Sequence, residues 1–288
     1  MLLNLHTGRL ANIVIALVNI FLLLINTRAV NLSKPGVDLT GYTLTFCDEF
    51  DGSAVDTDKW NTPAQNGIRK GGYWSMDQCR VEDGNLIIKT EYKPDGKYGA
   101  GWYTGSLLTT GTFEQAFGYY ECRCILPKGQ GLWSAFWINC AGTGKVNGTG
   151  ELGSEIDVFE SPFGYKTGRD SWKVTSNIHY NGYELQTRYK NVVISALDND
   201  PYENYNTYGV LWTEDEYIFY INGHEVGRTS YGGVSKVPEY IILSCEVDGA
   251  ASVPTFGWSG DIRRNSAGQD FTAEFIVDYV RVYALAGK

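Results

Sequence analysis

Residues 151–160 read ELGSEIDVFE, a run in which Ile156, Val158 and Phe159 ask for a buried strand while Glu155, Asp157 and Glu160 resist burial. On a strand, side chains two apart share a face. Glu155 and Asp157 therefore point the same way, and strict alternation would send Glu160 to the opposite face. One unpaired carboxylate in an apolar strand is costly, and three close together also repel one another. The face that carries them must line a wet cleft or bind something. Glu160 joins it if Val158-Phe159 form a β-bulge, which inserts one residue, resets the alternation and is enriched beside active sites.

Working outward, the chain continues as short apolar-alternating runs cut by Gly, Asn and Asp turns. NLIIKTEY, YYECRCIL, LWSAFWINC, KVTSNIHYNGY, YGVLWT, YIILSCEV and FIVDYVRVY are examples. In EYIFYINGHEVGRTS, Asn222-Gly223 separates two strand-like runs, the strongest short-range hairpin signal. Many closely spaced strands without βα alternation predict an all-β, two-sheet antiparallel sandwich. The 288 residues suit one large domain, expected over 41–288, with 30–40 as a linker and no internal repeat. Residues 1–29 carry Arg9, an apolar run from Ile13 to Ile25 and Thr27-Arg28-Ala29. They read as a secretory signal peptide, with an uncleaved membrane anchor as the alternative. The expected location is extracellular, with no membrane association unless that segment is retained.

A formal net charge of −9 disfavours a nucleic-acid partner and suits a neutral ligand such as a sugar. A strongly anionic polymer would need a basic patch, and no run of Lys or Arg supplies one. The six cysteines, Cys47, Cys79, Cys122, Cys124, Cys140 and Cys245, permit disulfides in an exported protein, with buried free thiols as the competing reading for several. With three histidines and no zinc-type spacing, a Cys/His metal site is not expected.

With the bulge, two glutamates flank an aspartate in one groove. Four strand steps put the outer pair roughly 13 Å apart at the backbone, at about 3.3 Å per step. Leaning side chains can narrow this to the roughly 5 Å between carboxyl groups that a retaining glycosidase uses. One Glu then attacks the anomeric carbon and the other serves as acid and base, while the Asp raises the pKa of a neighbour. Three solvated acids, or an acidic cation site, are the plain alternatives.

SEIDVFES resembles the E-x-D-x-x-E signature of glycoside hydrolase family 16. LTFCDEFDG with Trp60, VEDGNLIIKT, FGYYECRCILPKGQGLWSAFWI, YGVLWTEDEYIFYING, YIILSCEV and VDYVRVY resemble further blocks of that family, in order, from about Tyr42 to Tyr283. The resemblance implies a β-jelly-roll with a glycan cleft. It implies Glu155 as nucleophile, Asp157 as its assisting carboxylate and Glu160 as general acid/base. Two residues between Asp157 and Glu160 match the laminarinase and agarase branch. The implied activity is endo-hydrolysis of β-1,3- or β-1,3/1,4-glucan, by a monomer with a polysaccharide substrate and no required cofactor. The alternatives are β-galactan hydrolysis, transglycosylation, or glucan binding without catalysis.

Trp133 and Trp137, four apart, share a strand face, and the resemblance assigns both to the cleft rather than the core. It also places His179, on the neighbouring strand, against substrate or Glu160. Asp278 matches a position that in many relatives helps hold a structural calcium, sometimes with an acid such as Glu49, although a surface ion pair is the plainer reading. GGYWSMDQC and GSLLTT depart from the laminarinase pattern, lacking its Asn-Glu pair and its Arg, so galactans stay in play.

Overall fold

A computed structural model describes residues 36–62 and 67–287. The expected signal segment and linker residues 30–35 lie outside the described residues. The strands are β1 (Tyr42–Asp48), β2 (Gly67–Arg69), β3 (Gly72–Trp74), β4 (Cys79–Glu82), β5 (Asn85–Lys93) and β6 (Gly101–Thr104). They continue as β7 (Ser106–Leu108), β8 (Gly118–Ile125), β9 (Leu132–Asn139), β10 (Glu155–Glu160), β11 (Lys173–Tyr180) and β12 (Arg188–Ala196). The last are β13 (Asn206–Trp212), β14 (Tyr217–Ile221), β15 (His224–Thr229), β16 (Tyr240–Val247) and β17 (Thr272–Leu285).

They form two sheets. One runs β15-β14-β13-β8-β17-β5-β6-β3-β2, with β1 on β17 and β4 on β5. The other runs β12-β11-β10-β9-β16-β7. Among the described residues every pairing but β3 with β6 is antiparallel. The expected hairpin is present: Asn222 and Gly223, with φ of 50° and 75°, join β14 to β15, the positive values that a two-residue primed turn requires.

The core lies between the sheets. From the six-stranded sheet it takes Leu132, Phe136, Ile138, Ile156, Val158, Phe159, Val174, Ile178, Leu243 and Cys245. The facing sheet contributes Tyr120, Cys122, Cys124, Tyr208, Val210, Phe275 and Val280. Period-two alternation then sends Trp133, Trp137, Glu155, Asp157, His179 and Glu246 to the other face of the six-stranded sheet. All six cysteines are free thiols, Cys122 and Cys124 buried in the core, which settles on the unpaired reading.

Candidate active site

The strand β10 carries the bulge expected from its sequence. Along β9, Asp157 faces Trp137, Phe159 faces Phe136 and Glu160 faces Ala135, so two steps on β10 answer one on β9. Along β11, Asp157 faces Asn177 and Glu160 faces Thr175, three steps against two. The extra residue lets Val158 and Phe159 both enter the core, with the Phe159 ring centred 4.2 Å from that of Tyr208. Ser176 Oγ donates to the Val158 carbonyl at 2.8 Å, giving the displaced backbone oxygen a partner. Glu160 returns to the face of Glu155 and Asp157.

Side chains cross this face in rows. His179 faces Glu155 in register, and Asn139 reaches Glu155 from β9. Asn177, Asp157, Trp137 and Ile242 form the next row, and Thr175, Glu160, Ala135 and Ser244 the third. Beyond it Trp133 faces Glu246. Asp157 and Glu160 are buried, at 3% and 8% exposure, which makes their charges expensive and their partners decisive.

Glu155 Oε2 accepts from the Tyr183 hydroxyl at 2.7 Å and from Asn139 Nδ2 at 3.2 Å. Burial, then the charge of Asp157, push its pKa up to about 7, against the pull of His179, the Tyr183 hydroxyl and Lys70. Glu160 Oε2 accepts from Asn177 Nδ2 at 2.5 Å. Asn177 is fixed in that orientation because its Oδ1 accepts from Asn191 at 2.8 Å and Thr175 at 3.2 Å. Burial first, then Asp157, hold the Glu160 carboxyl well above the usual range, only partly offset by His179 and Asn177. Both glutamates are therefore held above the usual carboxylate range, Glu155 with a hydroxyl and an amide donor and Glu160 with one amide donor.

His179 Nε2 lies 3.3 Å from Asp157 Oδ2, and Tyr189 stacks on its ring at 5.7 Å. Burial pulls the imidazole down, but Asp157 and the charges of Glu155 and Glu160 outweigh it and push the pKa up to about 9. The ring is cationic at neutral pH. Ligand atoms of Glu155, Asp157 and His179 lie within 4.8 Å of one another. Asp157 and His179 thus stand as an ion pair beside Glu155.

All six residues singled out in the sequence share this face. Trp137 lies beside Asp157, half-buried, with Nε1 donating to Ser244 Oγ at 3.1 Å. Trp133 is 8% exposed, edge-on to Trp258 at 4.8 Å, with Lys70 Nζ standing 4.3 Å from its ring centre. Asp278 and Glu49 lie elsewhere, each engaged by an arginine: Arg123 with Asp278 at 2.5 Å, Arg281 with both Glu49 oxygens at 2.8 Å.

Sequence reasoning passed over Asn177, Asn139, Tyr183, Arg69 and Lys70. Asn177 was within reach, since it sits two residues before His179 on the same strand face. Tyr183 comes from a loop, which has no face to read. Arg69 and Lys70 are only two residues long as a basic segment, yet the β2–β3 hairpin carries them to the groove.

A family model described as "Beta-porphyranase A-D, GH16 domain" matches residues 43–285. The endo-1,3-1,4-beta-glycanase EglC of Rhizobium meliloti is 28% identical over 92% of this chain and 57% of its own length. Beta-porphyranase B of Zobellia galactanivorans is 28% identical over 73% of this chain and 75% of its own. The chain spans from about a third to just over half the length of several curated relatives it matches. A non-specific endo-beta-1,3(4)-glucanase from family GH16, SCLam, superposes with a TM-score of 0.68 at 26% identity, covering 88% of this chain and 94% of that one. The catalytic domain of an endo-1,3-beta-glucanase (laminarinase) from Thermotoga petrophila gives 0.67 at 26%, covering 85% and 99%.

Proposed function

The chain belongs to glycoside hydrolase family 16, and from that premise we propose that it is a secreted, monomeric endo-β-glucanase that cleaves β-1,3- or β-1,3/1,4-glucan with retention. The observation that carries this reading is the bulge at Val158-Phe159, which puts three acids on one face.

Glu155, as carboxylate, attacks the anomeric carbon and forms the glycosyl ester. Glu160, which holds its proton, delivers it to the departing glycosidic oxygen. Glu160 then takes a proton from the water that opens the ester, and Glu155 leaves as carboxylate. Asp157, paired with cationic His179, supports the nucleophile from the centre of the row. Trp137 and Trp133 offer apolar surface to the sugar rings. The relatives that act on β-1,3- and β-1,3/1,4-glucans support the substrate class.

A β-galactan is the second reading. It is favoured by the missing Asn-Glu pair and by the likeness to a β-porphyranase. Reducing-end release on laminarin, barley glucan, xyloglucan and agarose separates the two. Glu155→Gln is expected to lower kcat by at least about 10³-fold while keeping affinity for the polymer, and NMR of early product is expected to show the β-anomer. Unchanged turnover in the variant, or the α-anomer first, would sink the mechanism.

A further inference from the structure

Beyond the catalytic rows, Glu246 faces Trp133 from β16 and is 2% exposed. Its Oε1 accepts from Arg69, with Nε and Nη2 both at 2.8 Å. Among the described residues its Oε2 is buried without a hydrogen-bond donor. A fold gains nothing from a buried carboxylate oxygen left open, because desolvation is then uncompensated. The oxygen has the properties of half of a contact.

The other walls of this spot are equally specific. Arg69 lies flat on Trp74, 4.4 Å from the ring centre. Lys70 and Gly71 form the two-residue turn between β2 and β3. Lys70 takes a φ of 54°, a left-handed conformation usually left to Asn, Asp or Gly. Gly71 donates its N–H to the Val247 carbonyl at 2.9 Å, and a Cβ there would come within 2.7 Å of Ser252 Oγ. The hairpin tip is clamped against the end of β16. It holds the Lys70 ammonium over Trp133, with no carboxylate at salt-bridge distance among the described residues. Burial, more than any other influence, draws the proton affinity of this ammonium down.

We propose that Glu246, Arg69 and Lys70 form a hydroxyl-reading subsite of the cleft, which takes one pyranose ring of the substrate chain against Trp133. The proposal rests on the glycanase reading and deepens it. A sugar hydroxyl donates to Glu246 Oε2, the acceptor without a partner, while the Lys70 ammonium donates to a neighbouring hydroxyl oxygen. Trp133 supplies the apolar wall, the combination of aromatic surface and a few fixed polar groups that small-ligand sites use. Glu246 lies two strand positions past Ser244, which shares a row with Glu160. That is roughly 7 Å along the sheet, about one sugar ring from the acid/base. Arg69 is a positioning residue, since it holds Glu246 and leaves the second oxygen open.

The test measures kcat and KM of the intact enzyme and of Glu246→Gln and Lys70→Ala on β-1,3-linked and mixed β-1,3/1,4-linked glucohexaose, with thermal melts of each protein. Glu246→Gln is expected to raise KM about 10-fold or more with a much smaller change in kcat and a melting temperature no lower than the parent. Lys70→Ala is expected to raise KM about 3-fold or more. If both variants keep KM within twofold of the parent, or Glu246→Gln only lowers the melting temperature, Glu246 is a structural ion-pair partner and the subsite is overturned. An intact enzyme that cleaves neither hexaose overturns the β-glucanase reading, and the subsite with it.

Discussion

Glu246 and Asp248 stand two residues apart where β16 ends, both buried, and they live differently. Asp248 is saturated. Its Oδ1 accepts from the Gly249 and Gly257 amides at 2.8 and 3.3 Å and from Thr255 Oγ1 at 2.6 Å, and its Oδ2 accepts from the Ser259 amide at 3.1 Å. Every donor comes from residues 249–259, so this carboxylate holds a loop together. Glu246 has one satisfied oxygen and one open one. The difference sorts buried acids: one whose oxygens are all engaged builds structure, and one with an open oxygen on the groove face is the one we propose to meet a ligand. Asp157 falls in the second group, since its Oδ2 meets only His179, at 3.3 Å and without hydrogen-bond geometry.

The largest effect on stability should come from breaking the saturated case. Asp248→Ala strands four loop donors at once, and urea unfolding is expected to show a loss of about 3 kcal/mol or more. A loss below about 1 kcal/mol would mean that the loop holds itself. Substitution at a buried acid whose proton affinity is raised should act in the opposite direction. Glu155 has a folded pKa raised from 4.5 to about 7, so the stability linked to its proton is present below about 4.5 and lost as pH rises through about 7. Glu155→Gln is therefore expected to be more stable than the parent by about 1–3 kcal/mol at pH 8, with the gap closing toward pH 4.5. A gap that widens on acidification would contradict the assignment. The smallest effect belongs to an exposed acid: Glu49→Ala breaks only the surface pair with Arg281, and the change is expected to stay within about 1 kcal/mol, with activity preserved.

The acidic face was legible in the sequence to the extent that it follows the two-residue rhythm of strands. The bulge could be read because three acids and three apolar residues cannot be parted by strict alternation. The Asn222-Gly223 turn could be read because few residues tolerate two successive positive φ values. What escaped was whatever arrives from another part of the chain. Tyr183 approaches Glu155 from the loop after β11, and Arg69 reaches Glu246 across 177 positions. Composition also misled in one respect: a search for a run of basic residues overlooked two cations that a hairpin turn was enough to place. Trp133 was expected as open floor, and its small exposure reflects Lys70 and Trp258, which no spacing rule brings together.

The bulge has a genetic consequence as well as a chemical one. It makes the proposed active site a matter of parity, because Glu160, an odd three residues after Asp157, faces the groove only while the strand carries the bulge. Deleting either Val158 or Phe159 would set the third acid two residues after Asp157, where regular alternation alone keeps all three on the groove face, and would take one apolar side chain out of the core layer that packs on Tyr208 and Phe275. Substitutions at those two positions leave the count intact. Strand length and strand regularity are therefore coupled: exchange of residues at these two positions is expected to keep the bulge, and a one-residue shortening to remove it.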